Sequence, residues 1–516
     1  MNSKRLVGGV LMSTETMIQQ FPLFINGKWT PVESGETFDV INPATSEVVA
    51  KVAKASEKEV DEAVRNARET FESGVWSQRT AEERAQVLAQ YAGKIVQHAQ
   101  EIVYLEAISS GGTVRKLAGA DIKQLALTLQ QTAELALKYQ YVETLPMFTA
   151  LGPSRNQIIR EPIGVVAAIT PWNFPLALAM WKIAPALAMG NSIVLKPASY
   201  TPLGSLKLAE LAIEAGIPPG VFNVVTGPGS TVGEALVTHK EVDKVAFTGS
   251  TEVGRSIMKQ ASDTVKKVTL ELGGKAPAIV LPDADLEVAI PGILLGVFFH
   301  SGQVCEAGTR LLVHDSVYEE VIQKLAAMTE QIKLGNPLDP GTGMGPLVSE
   351  QQMETVLSYI QSGLDEGARL VCGGKRANGP GLDNGYYIEP TIFADVTNDM
   401  KIAREEIFGP VLSIIPFSTE EEAIEIANDT LYGLSAGIWT RDVVKANQLA
   451  TKIKAGTIWI NDWHMFRNDA PFGGYKQSGV GRELGKEALD EYTQVKHVHT
   501  ALTNENNQRI ALKLIF

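Results

Sequence analysis

The sequence predicts an α/β protein built on doubly wound parallel sheets, and two observations predict it. Short apolar runs at 192–195, 221–225 and 244–247 each end in a loop of polar residues or glycines, and a helical pattern follows each loop. Strand, loop and helix repeated at this interval are typical of such a sheet. The second observation is length, because 516 residues should divide into two or three domains.

The composition is that of an ordinary globular protein that works on small molecules. Hydrophobic residues make up 45% of the chain, charged residues 20%, and the formal net charge is −13. An acidic chain lacks the basic surface that binds nucleic acid or anionic lipid, so neither partner is expected. Two cysteines cannot form a disulfide framework in a chain of this size, which favours a reducing compartment and a cytoplasmic location.

The first 140 residues predict a tail, a hairpin and a helical scaffold. The tail should be mobile to about residue 20, its apolar run is too short for a signal peptide, and Met12 or Met17 could equally be the start. Asn-Gly within the apolar run 23–29 indicates a hairpin turn. Ser56 and Glu59 have the spacing of a capping box, and helical spacing continues to about residue 140. No apolar run in the chain is long enough to span a bilayer.

Polar, aromatic and glycine residues follow the next predicted strands, at the edge where open α/β sheets bind ligands. The strand at 164–169 is followed by TPWNFP, and those at 221–225 and 244–247 are followed by TGPGSTVG and TGSTEVG. Glycines at a loop-to-helix junction let backbone N–H groups face a pyrophosphate. Neither loop is a G-x-G-x-x-G, so each is a weak signal alone, but strand ends in series indicate a dinucleotide site.

A second α/β unit follows, with strands predicted at 277–281 and 457–461 and a helix at about 317–332. Residues 492–499 alternate β-branched and polar side chains, as an exposed edge strand does. Such an edge usually needs a partner.

Cys305 and Glu271 are the candidate nucleophile and base. The cysteine lies among small residues in SGQVCEAGTR, so a substrate carbon could reach its sulfur, and Glu271 shortly precedes a glycine pair that must turn the chain. For an arbitrary lone cysteine, the alternative of a buried small hydrophobe and a surface charge would be preferred. Cys372 lies in a short apolar run and is expected to serve packing.

Seven stretches in order resemble the motifs of the NAD(P)-dependent aldehyde dehydrogenase superfamily, in its hydrolytic, non-acylating form. They are WNFP, LKPAS, FTGSTEVG, LELGGK, GQVCEAGTR, EEIFGP and PFGGYKQSGVGRE. The resemblance covers residues 21–500. It implies an aldehyde dehydrogenase-like α/β fold with two doubly wound parallel-sheet domains and a small β oligomerisation element.

The resemblance also implies domain boundaries. Residues 21–139 and 160–273 would form the dinucleotide-binding domain, 274–484 the catalytic domain, and 140–159 with 485–516 the oligomerisation element. Members of this superfamily are usually dimers or tetramers, in which the last strand extends a neighbour's catalytic sheet. The expected partners are therefore a small aldehyde and other copies of the chain.

The implied reaction is oxidation of an aldehyde to the carboxylic acid. Cys305 would add to the carbonyl to give a thiohemiacetal, hydride would pass to the nicotinamide, and water would hydrolyse the resulting thioester. Glu271 matches the base for the thiol and for that water, and Asn173 matches the side chain that stabilises the oxyanion together with the backbone N–H of Cys305. Lys182 and Glu483 match residues that organise the base and its proton path.

The resemblance implies a cofactor site without a metal. The matching positions, each of which could instead be purely structural, are Ile169, Thr170, Pro171, Trp172, Lys196, Ser199, Gly227, Gly229, Phe247, Gly249, Ser250, Val253, Leu272, Glu406 and Phe408. Many NAD-preferring relatives carry Glu where this chain has Ser199. Serine removes the repulsion of the NADP 2′-phosphate, so use of both NADP and NAD is expected. Alternatively, Ser199 merely caps the following turn.

The expected substrate is a hydrophobic aliphatic or aromatic aldehyde. Positions that line the substrate tunnel in relatives are occupied here by Phe174, Leu178, Trp181, Trp463 and Phe466. Apolar walls favour apolar ligands. Arg467 could instead clamp a carboxylate, so a semialdehyde or a betaine-type aldehyde stays an alternative.

Two departures from the superfamily pattern flank the cysteine. His300-Ser301 precedes the motif and Glu306 follows the nucleophile. Such residues could tune Cys305 or line the tunnel. We favour the reading that His300 is a hydrogen-bonded core residue and that Glu306 points away from substrate.

Other classes of protein are disfavoured. A cysteine hydrolase would not need a series of glycine-bearing strand ends. A CoA-acylating enzyme characteristically lacks the base. A structural protein would not need a nucleophile, a base and an oxyanion donor together.

The C-terminal extension 503–516 ends in IALKLIF. We expect this run to pack against another subunit or to cover the oligomerisation strand, with a frayed tail as the alternative.

Overall fold

The structure is a computed structural model that describes residues 5–7, 10–12, 18–148, 152–505, 509 and 514–515. Its strands in chain order are β1 (Arg5–Val7), β2 (Val10–Met12), β3 (Gln19–Phe21), β4 (Leu23–Ile25), β5 (Lys28–Thr30), β6 (Thr37–Ile41), β7 (Val48–Ala53), β8 (Val142–Thr144), β9 (Ser154–Pro162), β10 (Val165–Ile169), β11 (Ser192–Lys196), β12 (Phe222–Val224), β13 (Lys244–Thr248), β14 (Lys267–Glu271), β15 (Pro277–Val280), β16 (Arg310–His314), β17 (Arg369–Cys372), β18 (Thr391–Ala394), β19 (Val411–Phe417), β20 (Ser435–Trp439), β21 (Thr457–Ile460), β22 (Gly479–Val480) and β23 (Thr493–Ala501).

The helices connect and cover these strands. They are α1 (Glu57–Glu72), α2 (Ala81–Gln97), α3 (Ala99–Ser110), α4 (Val114–Lys116), α5 (Ile122–Leu137), α6 (Pro175–Ala188), α7 (Leu203–Glu214), α8 (Glu234–Thr238), α9 (Thr251–Ala261), α10 (Leu286–Phe298), α11 (Tyr318–Thr329), α12 (Glu350–Asp365), α13 (Lys401–Arg404), α14 (Glu420–Asn428), α15 (Val443–Ala450) and α16 (Gly485–Glu491). The capping box of Ser56 and Glu59 begins α1 as the spacing predicts. Within the described ranges, no helix combines the length and apolarity needed to cross a membrane.

The first large sheet has the strand order β22-β14-β13-β10-β11-β12-β4-β5. Its five central strands run parallel, and the β4–β5 hairpin and β22 pair antiparallel at its edges. The central strands are almost fully buried because helices cover both faces, which is why they read as continuous apolar runs. Their carboxyl ends meet at one edge of the sheet, which brings together the loops after residues 169, 196, 248 and 271.

The second large sheet has the order β17-β18-β19-β16-β15-β20-β21 and is parallel except for β17. The predicted α/β fold with two parallel-rich sheets is therefore confirmed. The short strand β22 comes from the segment 274–484 predicted for the second domain, and it pairs with Leu270 and Glu271 at the edge of the first sheet. A backbone pairing of only two residues leaves no apolar pattern that would reveal it in the sequence.

A small third sheet has the order β23-β9-β8. Nine residues of β23 pair antiparallel with β9, and the opposite edge of β23 carries no strand within the described chain. The sheet uses the segments predicted for the oligomerisation element, and α16, which precedes β23, packs on α5 and α6 as well as on β23.

The two ends of the chain are described only in part. Gln19–Phe21 pairs in parallel with β7, so the predicted tail ends earlier than residue 20, and β1 pairs with β2 as a short hairpin. At the other end, Leu514 and Ile515 are exposed. Most of the IALKLIF run lies outside the described residues.

Candidate active site

Cys305 lies on the loop between α10 and β16, and neighbouring backbone fixes its position. His300 and Ser301 adopt left-handed backbone angles, with φ of 50° and 58°. Gly302 has φ +71°, and a Cβ there would overlap the carbonyl oxygen of Gly409, so the loop can approach its neighbour only with glycine at this position. Gln303 then anchors the loop, because its side-chain Oε1 accepts a 2.9 Å hydrogen bond from the Val348 N–H.

Two cavities meet at the cysteine. One, of about 210 Å³, is lined by Trp172, Asn173, Gly249, Ser250, Glu406 and Phe408. The other, of about 450 Å³, is lined by the aromatic side chains of Phe174, Trp181, Phe299, Trp463, Phe466 and Phe472. Cys305 and Leu178 belong to both walls. A reacting group at the sulfur is therefore open to two different ligands.

The smaller cavity lies at the carboxyl edge of the first sheet and fits a dinucleotide. Ser250 caps the eleven-residue helix α9 by accepting from the Val253 N–H, so the positive helix end faces this edge. The Phe247 ring lies against Gly249, where a Cβ would overlap it. Thr170, directly after β10, has a buried hydroxyl without a hydrogen-bond partner among the described residues. Backbone donors at a helix end and a bare glycine surface are features that suit a bound nucleotide.

Lys196 is the last residue of β11, and Ser199 follows three residues later. The Lys196 ammonium donates to the Pro197 carbonyl at 2.9 Å, and burial lowers its pKa to about 8. The Ser199 hydroxyl donates to the Gly227 carbonyl at 3.1 Å. Ser199 thus joins two of the predicted cofactor loops and remains partly exposed. Gly229 begins the π-helical turn Gly229–Gly233 after the same loop.

Glu406 and Phe408 close the smaller cavity from the second sheet. Glu406 Oε1 accepts from the Gly274 N–H at 3.1 Å, and burial raises the pKa of Glu406 to about 7. Phe408 stands edge-on to Trp172, with ring centroids 5.2 Å apart. The predicted cofactor residues that line this cavity together are Pro171, Trp172, Gly249, Ser250, Leu272, Glu406 and Phe408. Val253 differs from these residues, because its side chain is exposed on α9.

Glu271 stands at the end of β14 and is buried. Its Oε2 has no hydrogen-bond partner in the described chain, and Oε1 lies beside Gly473, where a Cβ would be only 2.7 Å away. Burial, reinforced by the charge of Glu483 and opposed by Lys182 and Arg482, raises the pKa of Glu271 well above the ordinary carboxylate range. A carboxyl group of this kind has a free oxygen and a high proton affinity, which are the properties of a general base.

Lys182 and Glu483 form a buried ion pair behind Glu271. The Lys182 ammonium donates to Glu483 Oε1 at 2.8 Å and to the Thr248 hydroxyl at 2.7 Å, and neither charged side chain is more than 2% exposed. Glu483 Oε2 has no partner among the residues described. The pair places one further unused acceptor in the interior beside the base.

Asn173 is held beside the cysteine loop. Its Nδ2 donates to the Gln303 carbonyl at 2.9 Å and the residue is 2% exposed. A side-chain amide has two N–H groups, so one remains free to donate toward the smaller cavity that Asn173 and Cys305 both line.

The larger cavity contains all five predicted substrate residues. Trp181, Phe466 and Phe472 pack edge-on in a cluster with centroid separations of 5.2–5.6 Å. Sequence reasoning did not single out Phe299, Met465, Phe472 or His464, which also line this cavity. Arg467, considered as a carboxylate clamp, is instead exposed and forms a two-point ion pair with Asp469.

The expectation for Glu306 is wrong. Its carboxylate points toward Cys305 and accepts a hydrogen bond from the thiol, with Sγ and Oε2 3.2 Å apart. His300 is buried as expected, but its Nε2 has no partner in the described structure, and burial holds its pKa well below the ordinary value. Cys372 lies in β17, away from both cavities, with its thiol 3.8 Å from the Pro390 carbonyl.

Within the described ranges, no group of three or more histidine, cysteine or carboxylate side chains is arranged to hold a metal ion. The sheets, the glycine-bearing strand ends and the cysteine between them define an NAD(P)-dependent oxidoreductase acting on aldehydes. Residues 29–498 match the sequence model described as the aldehyde dehydrogenase family, and the chain belongs to that family.

Curated relatives and solved structures agree with this assignment. The chain is 47% identical to a betaine aldehyde dehydrogenase of Bacillus subtilis, over 92% of this chain and 96% of that one. It is 43% identical to human aldehyde dehydrogenase 1A1, over 96% and 98% of the two chains. The NAD+ complex of an aldehyde dehydrogenase from Bacillus cereus superposes with a TM-score of 0.92 at 46% identity, covering 98% of this chain and 100% of that one. A betaine aldehyde dehydrogenase from Staphylococcus aureus with NAD+ gives 0.91 at 42%, covering 94% and 96%.

Proposed function

We propose that this enzyme oxidises a hydrophobic aliphatic or aromatic aldehyde to its carboxylic acid, with NAD or NADP as the hydride acceptor. The observation that carries the proposal is the position of Cys305, where a cavity with nucleotide-binding features meets a cavity with aromatic walls. Of the described residues, Cys305 and Leu178 line both cavities, and only the cysteine carries a nucleophilic group.

Cys305 would add to the aldehyde carbon and form a thiohemiacetal. Its S–H bond breaks, a carbon–sulfur bond forms, and the carbonyl oxygen becomes an oxyanion. The free N–H of Asn173 and the backbone N–H of Cys305 would stabilise that charge. The loss of one such donor typically costs about 3 kcal/mol of barrier.

Glu271 would take the thiol proton and later a proton from the water that hydrolyses the thioester. Its unpartnered Oε2 supports this role, since no hydrogen bond within the described chain has to break first. Lys182 and Glu483 would balance each other's charge behind Glu271. Glu483 would be the next group that can accept the proton.

The bound nicotinamide would supply the hydride acceptor. Glu406 and Phe408 would hold its ribose and ring end, and the end of α9 with Ser250 would face the pyrophosphate. Ser199 carries no charge that would repel a 2′-phosphate, so we expect NADP to be accepted comparably with NAD. The solved relatives in complex with NAD+ support NAD itself.

The substrate assignment rests on the aromatic wall of the larger cavity. Arg467, considered as a clamp for a charged semialdehyde, does not line this cavity and pairs with Asp469 instead. The second candidate is a betaine-type aldehyde, because aromatic faces also bind quaternary ammonium groups and two of the similar proteins carry that name.

We further propose a cytoplasmic homo-oligomer. All of β23 beyond its first residue is exposed or half-buried, and its free edge offers unpaired backbone groups. A second copy of the chain would supply the strand that this edge lacks.

A panel of aldehydes tests the function. Hexanal and phenylacetaldehyde should give higher kcat/KM than succinate semialdehyde, with reduction of NAD and NADP followed by absorbance. A dominant kcat/KM for betaine aldehyde would favour the second candidate. The absence of any nicotinamide-dependent signal with the whole panel would contradict both.

A further inference from the structure

Cys305, Glu306 and His464 form a line of contacts that the proposed reaction does not use. The thiol donates to Glu306 Oε2 at 3.2 Å, and Glu306 Oε1 lies 2.9 Å from His464 Nδ1. The side chains of Glu306 and His464 are only 5% and 9% exposed. The main chain of Glu306 is also fixed, because its carbonyl accepts from Ser435 and from the Trp463 indole.

His464 is surrounded by acceptors. Its Nδ1 faces the Glu306 carboxylate, and its Nε2 lies 3.3 Å from the Leu295 carbonyl. An imidazolium can donate to both oxygens, whereas a neutral ring can donate to only one. The ring also packs against Phe299, with centroids 5.2 Å apart. The ring therefore lies between two acceptors and fixes the position of the Glu306 carboxylate.

The other charges that face the thiol are also acidic. Glu271 acts on it from the end of β14 and Glu406 from the loop before β19, and both add to the effect of Glu306. The nearby cation Lys182 is already paired with Glu483. Burial and then the Glu306 carboxylate raise the pKa of the Cys305 thiol well above its ordinary value. A thiolate at this place would lie among carboxylates without a direct cationic partner in the described chain.

We propose that Glu306, braced by His464, is a positioning residue that holds Cys305 as a protonated thiol in the cofactor-free enzyme. The S–H group stays directed at Oε2 until it turns toward the aldehyde, and its proton then leaves to Glu271. The nucleophilic role of Cys305 is taken from the proposed function. The resting state of its thiol can nevertheless be measured without any aldehyde.

The test is the pH profile of alkylation by iodoacetamide, measured on cofactor-free protein in a Cys372→Ala background. The sulfur–carbon bond forms, the carbon–iodine bond breaks, iodide leaves, and the thiol proton passes to solvent. Glu306→Gln should raise the rate at pH 7 by at least about tenfold and move the profile to lower pH, because one pKa unit changes the thiolate fraction about tenfold. His464→Asn should lower the rate and move the profile to higher pH, since Glu306 Oε1 loses its contact with the ring and the carboxylate acts on the thiol without that partner.

The double variant Glu306→Gln/His464→Asn separates this role from a structural one. If His464 acts through Glu306, the double variant should follow the Glu306→Gln profile. Shifts of both single variants in one direction, or an unchanged Glu306→Gln profile with an unchanged melting temperature, would overturn the proposal. Glu306→Ala should repeat the Glu306→Gln result if that variant folds poorly. If the two single variants shift the alkylation profile in opposite directions but the wild-type protein has no dehydrogenase activity, the proposal for the resting thiol stands. Only the proposed function is then rejected.

Discussion

The two cavities that meet at Cys305 are built in different ways. The smaller one is formed by successive ends of parallel strands, so its donors are set by backbone geometry. The larger one is formed by side chains from α6, from the loop after α10 and from residues 463–472, which are far apart in the chain. The cofactor half therefore follows from the fold, whereas the substrate half depends on individual side chains and can change without disturbing the sheet.

The two carboxylates near the sulfur show the same contrast. Glu271, on the cofactor side, has an oxygen without a partner among the described residues. Both oxygens of Glu306, on the substrate side, are engaged by Cys305 and His464. A free buried oxygen can take a proton during the reaction, whereas an engaged one fixes its neighbours.

The largest expected effect comes from removing the sulfur that both halves share. Cys305→Ala should abolish aldehyde oxidation and any esterase activity, and dinucleotide binding should stay nearly intact because the strand ends are unchanged. Steady-state assays and nucleotide titration measure the two properties. Cys372→Ala is the matched control and should keep activity. If Cys372→Ala were inactive and Cys305→Ala active, Cys372 would be the nucleophile and the assignment of Cys305 would be wrong.

Glu271→Gln tests whether the free carboxylate acts as the base. Steady turnover should fall by about 10²- to 10⁴-fold, which is the usual contribution of a general base. A first-turnover burst of reduced cofactor should remain if the thiol ionises partly without Glu271. Because burial raises its pKa, the wild-type rate should rise with pH above the ordinary carboxylate range, and the variant should lose that rise. Full activity in Glu271→Gln would assign the base elsewhere.

The sequence predicted the cofactor half better than the substrate half, for physical reasons. Apolar runs that end in glycine loops form a contiguous pattern, so the strands and the positions of Gly249 and Ser250 could be placed from local signals. The contact of Glu306 with His464 joins residues 158 apart, and no local pattern indicates it. Arg467 looked available as a clamp because the sequence does not show that its side chain turns to Asp469.

Ser199→Glu tests whether the absence of charge at the cofactor edge permits NADP. A carboxylate about 5 Å from the 2′-phosphate at an effective dielectric of about 20 is disfavoured by roughly 3 kcal/mol before solvent screening. KM for NADP should therefore rise by tenfold or more, and KM for NAD should stay or improve. Ser199→Ala is the control without charge. Wild-type enzyme that uses NAD but shows no NADP activity would reject dual use.

The smallest expected effect is at the C-terminus. Truncation after Leu502 should lower the melting temperature by a few degrees or shift the mass in light scattering toward smaller assemblies, if the run 503–516 covers apolar surface of another subunit. Aldehyde oxidation per intact site should not change. An unchanged mass and melting temperature would identify the run as a frayed tail.

The central claim is that the acyl group becomes bound to Cys305 as a thioester, at the point where the two cavities meet. Mass spectrometry of the acyl-enzyme tests this claim directly. Glu271→Gln protein mixed with NAD and an accepted aldehyde should trap the thioester, since its hydrolysis lacks the base. The peptide that contains Cys305 should then gain the mass of the acyl group in place of one hydrogen, and hydroxylamine should remove it. An acyl group on the Cys372 peptide, or cofactor reduction with no acylated cysteine, would contradict the account.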